Sequence, residues 1–379
     1  MNSDILILYA AIGSGHRRAA EALAGALTGQ FGCACQVVDV LAAIWPRLPA
    51  VANNLYALTL KFFPAWYDQM WSDEEVQQTL GRTLHQSDLV RLMGHLVAEA
   101  APRACVCTHA LPGRVLSWAW LEANGRFPPI THIATDFLAN GLWPVSGTSH
   151  FVVATEAAAQ QMAGRGLAPE RIHTLGIPIV AHFAQPRPAQ AVLRRQLGLD
   201  DRPTLLALTG GWNVGPYAEF AQAMLRLFAH WAADPPADPP QIVVITGNNR
   251  ANLAGLQAFA PYLPFPVKLL PFVENVADWM WASDLLLTKP GGLTAAEALA
   301  CGLPLLLRAI GPGQEQANAN WLLAEGCAVM GETAVVALAA QIETLLANPT
   351  HLAHLRANCL RHARPQAAKE VAELIMVNC

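Results

Sequence analysis

The sequence predicts an α/β protein built from two parallel-sheet domains, and three observations carry that reading. Short apolar runs alternate with longer helical patterns, the signature of parallel strands joined by crossover helices. At 379 residues the chain is long for one domain of roughly 150 residues. Near its middle a proline-marked junction interrupts the rhythm, Gly176-Ile177-Pro178 followed by Gln185-Pro186-Arg187-Pro188. Neither a helix nor a central strand continues through such a stretch.

Taken in order, Ile5–Tyr9, 37–40, Ala104–Cys107, 130–134 and 151–154 read as strands of a first sheet. Thr204–Leu208, 242–245, Val267–Leu270, Leu285–Thr288 and 304–307 read as strands of a second. The stretch 19–27 after the first strand has a helical pattern, and so does 293–301, which Gly302 closes. The proline cluster at 235–240 precedes a strand directly and reads as a surface loop inside the second domain. Hydrophobic residues make up 53% of the chain and charged residues only 14%. Each half can therefore bury a core, and global disorder is excluded.

Composition narrows the function as well. Lysine and arginine number 24 against 28 aspartates and glutamates, a net charge of −4. That excludes a strongly basic surface for nucleic acid. No apolar run reaches the roughly 18 residues of a spanning helix. The start Met1-Asn2-Ser3-Asp4 lacks the basic segment of a signal peptide, so a cytoplasmic chain is expected. The eight cysteines include two Cys-x-Cys pairs, neither with the spacing of common zinc sites. Free thiols are expected, with Cys105 and Cys107 on one face of their strand.

The exception to the α/β rhythm is the stretch 44–71. It holds seven aromatic residues in a chain that is 7% aromatic: Trp45, Tyr56, Phe62, Phe63, Trp66, Tyr67 and Trp71. Such a segment is either an ordinary buried helical pair or an amphipathic surface for a lipid or apolar partner.

Three turns at strand ends carry the chemistry. The first strand leads into Gly13-Ser14-Gly15-His16-Arg17, a glycine turn where a ligand can meet the backbone and a helix N-terminus. His16 there is either a base near neutral pH or a helix cap. In the second half Lys289-Pro290-Gly291-Gly292 joins a strand to a helix, a ready diphosphate site with Lys289 as a point charge. Glu297, about one turn further in, suits the hydroxyls of a ribose, and otherwise reads as a solvated residue. After the next strand, Gln314, Glu315 and Asn318 offer donors and acceptors for a polyol. Thr209-Gly210-Gly211 is another turn where backbone can approach a phosphate. Phosphate turn, diol acceptor and polyol loop on neighbouring strand ends form a nucleotide-sugar site.

A longer series gives these turns a family likeness: Gly13-Ser14-Gly15-His16-Arg17, Thr135-Asp136-Phe137, Gly176-Ile177-Pro178, Gly247-Asn248-Asn249, Phe272-Val273-Glu274-Asn275-Val276, Thr288-Lys289-Pro290-Gly291-Gly292-Leu293-Thr294 and Pro312-Gly313-Gln314-Glu315. It resembles the diacylglycerol glycosyltransferases, the monogalactosyldiacylglycerol synthases and processive diacylglycerol glucosyltransferases, which are similar in turn to the lipid II N-acetylglucosaminyltransferase. The resemblance runs from residue 5 to about 330. It implies a GT-B fold of two Rossmann-like domains facing a cleft. The domains would be an acceptor and membrane-side domain over 1–178 and a UDP-sugar domain over 179–365, with a last helix over 366–379 packing back on the first.

The implied reaction moves galactose or glucose from UDP-galactose or UDP-glucose to diacylglycerol or a related lipid. It inverts the anomeric centre and uses neither metal nor other cofactor. Lys289, Gly291, Gly292 and Leu293 would hold the diphosphate, with Gly15, Gly210, Gly211, Asn248 and Thr294 on the donor side. Glu297 would take the ribose, Phe272 and Val273 would flank uracil, and Gln314 and Glu315 would bind the sugar. His16 or Asp136 would be the base. His109, Trp143, Phe62, Phe63 and Trp66 would lie on the acceptor and membrane side of a peripheral protein. Ser14, Ala110 and Asn140 depart from the family's common glycine, proline and histidine. Two other classes remain open at this stage, a nucleotide-sugar 2-epimerase and a non-catalytic lipid or nucleotide-sugar-binding protein.

Overall fold

The computed structural model describes residues 4–73, 76, 77, 79, 88–124, 126–209 and 216–379. Two six-stranded sheets organise them, and every pairing in both is parallel. The first sheet comprises β1 (Ile5–Tyr9), β2 (Cys35–Asp39), β3 (Ala104–Cys107), β4 (Ile130–Ile133), β5 (His150–Val152) and β6 (Ile172–His173), in the order β2-β1-β3-β4-β5-β6. The second comprises β7 (Thr204–Leu208), β8 (Gln241–Ile245), β9 (Val267–Leu270), β10 (Leu285–Thr288), β11 (Leu305–Leu307) and β12 (Ala328–Met330), in the order β12-β11-β10-β7-β8-β9. The ten strands expected from apolar runs are all present within one or two residues. Two short edge strands, β6 and β12, were not anticipated. With two and three residues each, and a partner on one side only, neither needs the apolar run that marks a central strand.

The central strands are buried on both faces, which is why they read as continuous apolar runs rather than alternating ones. In β3, Cys105 and Cys107 share a core with Leu6, Leu8 and the helix Asp88–Ala100. Val106 points the other way, toward Ile5, Ile7, Leu23 and Leu27. The two thiols therefore lie on one face, and all eight cysteines are free. Burial pushes the Cys105 thiol up to about 12, so it stays a neutral core residue.

Each sheet has a point where the connections change direction, between β1 and β3 in the first and between β7 and β10 in the second. Crevices for ligands open there, at the carboxyl ends of the strands. The turns after β1 and β10 that the sequence singled out thus sit where an open α/β sheet can bind a ligand.

The last helix, Ala367–Val377, packs against the helix Gly15–Phe31 beside the first sheet. Val371, Ala372 and Ile375 share the core of Ile5, Leu23 and Leu27. The chain therefore passes between the sheets twice, and Gly176 of the first passage lies against Arg364 of the second.

Between β2 and β3 the aromatic stretch forms the helices Leu48–Phe62 and Pro64–Ser72, with Pro64 opening the second. It is neither wholly core nor wholly surface. Leu60 and Tyr67 are buried, whereas Leu55, Phe62, Phe63 and Trp66 are 54–64% exposed. Among the described residues no helix is long and apolar enough to cross a membrane.

Ile375 is 2% exposed and fills the core under β1. Ile375→Ala should lower unfolding stability by about 2–5 kcal/mol, the usual cost of such a cavity. Urea unfolding checks this, and an unchanged midpoint would mean that the last helix is not part of that core.

Candidate active site

One cleft brings the two switch points together. Its lining includes Gly13, Ser14, Gly15, His16 and Arg18 after β1, Tyr56 from the aromatic hairpin, and Thr135 and Asp136 after β4. From the second domain it takes Thr209, Lys289, Gly291, Gly292, Leu293, Thr294, Gln314 and Glu315.

The floor on the first-domain side is set by His16. Its Nδ1 lies 2.9 Å from the Thr108 carbonyl oxygen and 2.7 Å from Thr135 Oγ1. A carbonyl oxygen can only accept, so Nδ1 carries the hydrogen and Nε2 keeps its lone pair. Thr108 Oγ1 donates back to the His16 carbonyl at 2.9 Å, closing a clamp on the residue. Burial pushes the His16 pKa below its ordinary 6.5, and Asp136 opposes that shift. The imidazole is therefore neutral near pH 7, the form that can take a proton.

Asp136 is held by Asn318 of the second domain, whose Nδ2 donates to Oδ1 at 2.8 Å. Burial raises its carboxyl above the ordinary 3.8, while His16 and the Asn318 hydrogen bond pull the other way. Asn318 also donates to the Pro290 carbonyl at 3.1 Å and accepts from the Phe137 amide at 2.9 Å. It is fully buried. The sequence placed it among the polyol partners; the structure makes it an interdomain tie.

The second-domain wall is the N-terminus of the helix Gly292–Cys301, capped by Gly291. Its first amides have no intrahelical partners and favour an anion. A Cβ on Gly292 would stand 2.0 Å from the Thr135 carbonyl oxygen, so only glycine permits this approach of the two backbones. Gly15 faces the same helix, within 3.7 Å of the Leu293 Cβ for a built Cβ. The two glycine turns thus lie opposite each other. Lys289 Nζ is 2.5 Å from Glu315 Oε1, and Glu315 Oε2 accepts from the Gly311 amide at 2.9 Å. A carboxylate oxygen has two lone pairs, so Glu315 can still accept a hydroxyl.

Other expected residues lie elsewhere. Glu297 is 2% exposed and does not line the cleft; Arg18 Nη2 reaches it at 3.2 Å from the first domain. Burial raises its pKa to about 7, partly opposed by Arg18. Asn248 and Phe272 are exposed and Val273 packs on the second-domain core, all three outside the cleft lining. Gly210 and Gly211 fall outside the described residues.

Of the residues expected on the acceptor side, His109 stands behind His16, the ring centroids 4.4 Å apart and nearly perpendicular. Its Nδ1 accepts from the Leu111 amide at 3.0 Å, capping the helix Ala110–Glu122. Trp143, expected on the acceptor or membrane side, is buried against His132 and Phe151. Its size and apolarity suit that core, so it offers no surface. Phe62, Phe63 and Trp66 are exposed on the outer side of the hairpin.

Sequence reasoning missed Arg18 and Tyr56. For Arg18 a signal existed: it lies one position before the buried Ala19 and four before the buried Ala22, on the inward stripe of its helix, whereas Arg17 pairs with Glu21 in solvent. Tyr56 carried no such signal, because its partner Gln314 is 258 residues away.

Residues 16–179 match the family model "Monogalactosyldiacylglycerol (MGDG) synthase", and residues 218–371 match "Glycosyltransferase family 28 C-terminal domain". A probable chloroplastic monogalactosyldiacylglycerol synthase 2 of Oryza sativa subsp. japonica is 28% identical over 98% of this chain and 79% of its own length. The processive diacylglycerol beta-glucosyltransferase of Bacillus subtilis is 24% identical over 87% of this chain and 83% of its own. Among solved structures, Acinetobacter baumannii MurG shares the fold with a TM-score of 0.63 at 18% identity, covering 98% of this chain and 99% of that one. A UDP-GlcNAc 2-epimerase from Neisseria meningitidis shares it with a TM-score of 0.58 at 12% identity, covering 99% and 100%.

Glu297 gives the site a measurable pH signature. With its pKa raised from 4.5 to about 7, the folded chain keeps a proton that the unfolded chain releases. Its contribution to stability is therefore lost as pH rises from about 4.5 to 7. Glu297→Gln should remove that loss, so its stability relative to wild type should grow across this window. Urea unfolding at both ends tests it, and parallel pH profiles would show that the carboxyl is not held protonated.

Proposed function

We propose that this chain transfers a hexose from a UDP-sugar to diacylglycerol; it belongs to the diacylglycerol glycosyltransferases, through a first domain of monogalactosyldiacylglycerol synthase type and a second of glycosyltransferase family 28 type. The observation that carries the reading is the shared cleft, where a neutral histidine from one domain faces a helix N-terminus and a lysine from the other.

The diphosphate of the donor lies against the amides of Gly291 to Leu293, between the two glycine turns, with Lys289 adding charge. Gln314 and Glu315 take the hexose. The acceptor hydroxyl attacks the anomeric carbon as the bond from that carbon to the phosphate oxygen breaks, and UDP leaves with the electron pair. The hydroxyl proton goes to His16 Nε2, with Asp136 as the other candidate. A single displacement of this kind inverts the anomeric centre. The helix N-terminus and Lys289 offset the charge developing on UDP, and the reading assigns no metal to that role.

The hexose is galactose or glucose, since one relative is named for galactose and the other for glucose. The 2-epimerase alternative rests on the shared fold alone. The non-catalytic alternative required His16 and Asp136 to lie away from the sugar pocket, and both line the cleft.

Diacylglycerol stays in a bilayer, so the reading includes reversible docking of the hairpin on a membrane surface. Phe62, Phe63 and Trp66 supply the apolar area, worth about 25 cal/mol per Å² withdrawn from water.

His16→Ala and Asp136→Asn should each keep UDP affinity, and the one that removes the base should cost about 10²–10⁴ in transfer rate. Both groups act deprotonated. Because His16 is shifted down from 6.5 and Asp136 up from 3.8, the fall of kcat/KM on acidification should be centred below 6.5 if His16 is the base and above 3.8 if Asp136 is. Radiolabelled UDP-galactose and UDP-glucose with diacylglycerol vesicles provide the assay. Near wild-type turnover in both variants would remove both residues from the base role.

Replacing Phe62, Phe63 and Trp66 together by Ser should abolish flotation with liposomes and leave UDP affinity unchanged. Added salt should weaken wild-type flotation only modestly, since screening acts on charges and not on buried rings. Continued flotation of the triple variant would overturn the docking assignment.

A further inference from the structure

The hairpin does more than present an apolar surface. Its inner side grips the loop that the proposed function gives to the donor hexose. Tyr67 Oη donates to Gln314 Oε1 at 2.8 Å, and Gln314 Nε2 donates to Tyr56 Oη at 3.0 Å. The two phenol rings meet edge to face, their centroids 5.4 Å apart. One residue further along the helix, Asp68 Oδ1 accepts from the Gly313 amide at 2.9 Å. Gly313 has φ +70°, and a Cβ there would stand 2.9 Å from Tyr67 Cε1 and 3.0 Å from Trp71 Cγ. The helix Pro64–Ser72 therefore rests directly on the turn that starts the helix Gln314–Ala324.

We infer that Tyr56, Tyr67 and Asp68 are positioning residues for donor-hexose selection, acting through Gln314 and the Gly313 turn. The inference rests on the proposed assignment of Gln314 to the hexose and extends it to residues of the other domain. Galactose and glucose differ only in the direction of one hydroxyl. A partner can tell them apart only if its own atoms are held in place, because a mobile amide would follow the hydroxyl to either position. A site that hydrogen-bonds one hydroxyl discriminates strongly when its polar groups cannot relax. Clamped between two phenols, Gln314 retains one N–H and one lone pair for the sugar whichever way its amide is assigned. Tyr67 is well suited to the clamp: burial lifts its phenol to about 12, so the hydroxyl stays protonated at any working pH.

The test compares Tyr56→Phe, Tyr67→Phe and Gln314→Ala for kcat/KM with UDP-galactose and with UDP-glucose, alongside UDP affinity by calorimetry. Each phenylalanine variant should lose about 3–10-fold in kcat/KM for the preferred donor, the size of one net hydrogen bond. The loss should fall mainly in KM, and the ratio between the two donors should move toward one. UDP affinity should stay unchanged, since the proposed function puts the diphosphate at Gly291 to Leu293 and the hexose at Gln314. In a Gln314→Ala background the tyrosine changes should have no further effect, the mark of residues acting through a shared partner. If Tyr67→Phe does not fold, Asp68→Ala, on an exposed position of the same helix, should shift the donor ratio in the same direction. An unchanged donor ratio in the folded variants, or additive losses in the Gln314→Ala background, overturns the inference while leaving the hexose assignment standing. A Gln314→Ala variant that handles both donors as wild type does overturns the assignment itself, and the inference with it.

Discussion

The close approach of Gly292 to the Thr135 carbonyl is the constraint on which the rest of the cleft depends. It puts the positive end of a second-domain helix directly on the backbone of the first domain. Every other contact across the cleft needs that spacing: Asn318 can reach Asp136, Arg18 can reach Glu297, and the hairpin can rest on Gln314 only with the helix seated there. The Thr135 side chain is part of the same junction, since its hydroxyl meets His16 Nδ1. One peptide unit thus sets both the distance between the domains and the surroundings of the base candidate.

Arg18 and Lys289, which line the cleft, each have a carboxyl partner. Lys289 is paired with Glu315, and Arg18 with Glu297. Burying such groups singly would cost several kcal/mol, which is why each is found with a partner. Under the proposed function, a diphosphate at Gly291 would bring new negative charge to Lys289 and Arg18, so donor binding would be an exchange of ion pairs more than a filling of empty space.

Much of this was legible in the sequence. Central strands buried on both faces announce themselves as apolar runs, and the Lys289-Pro290-Gly291-Gly292 corner marks a strand, a turn and a helix within a few residues. The β6 and β12 strands were not legible, because edge pairing of two or three residues imposes almost no pattern. The cleft divides in the same way. His16, Lys289, Gln314 and Glu315 stand at turns whose chemistry is local. Arg18, Tyr56 and the true office of Asn318 depend on which residues the other domain brings near. Trp143 shows the converse error: a large aromatic beside a functional loop reads as surface or core equally well, and packing against Phe151 decides it.

The last helix crosses back to lie beside the helix Gly15–Phe31, so the two halves are joined by two strands of covalent chain that touch at Gly176 and Arg364. Any relative movement of the two halves has to be accommodated by both passages together, because they touch at that point. The same connection makes the halves inseparable as folding units: cut after the first passage, the first domain would leave the apolar face formed by Ile5, Leu23 and Leu27 uncovered. The spacing of the cleft thus depends also on a helix that lines no part of it.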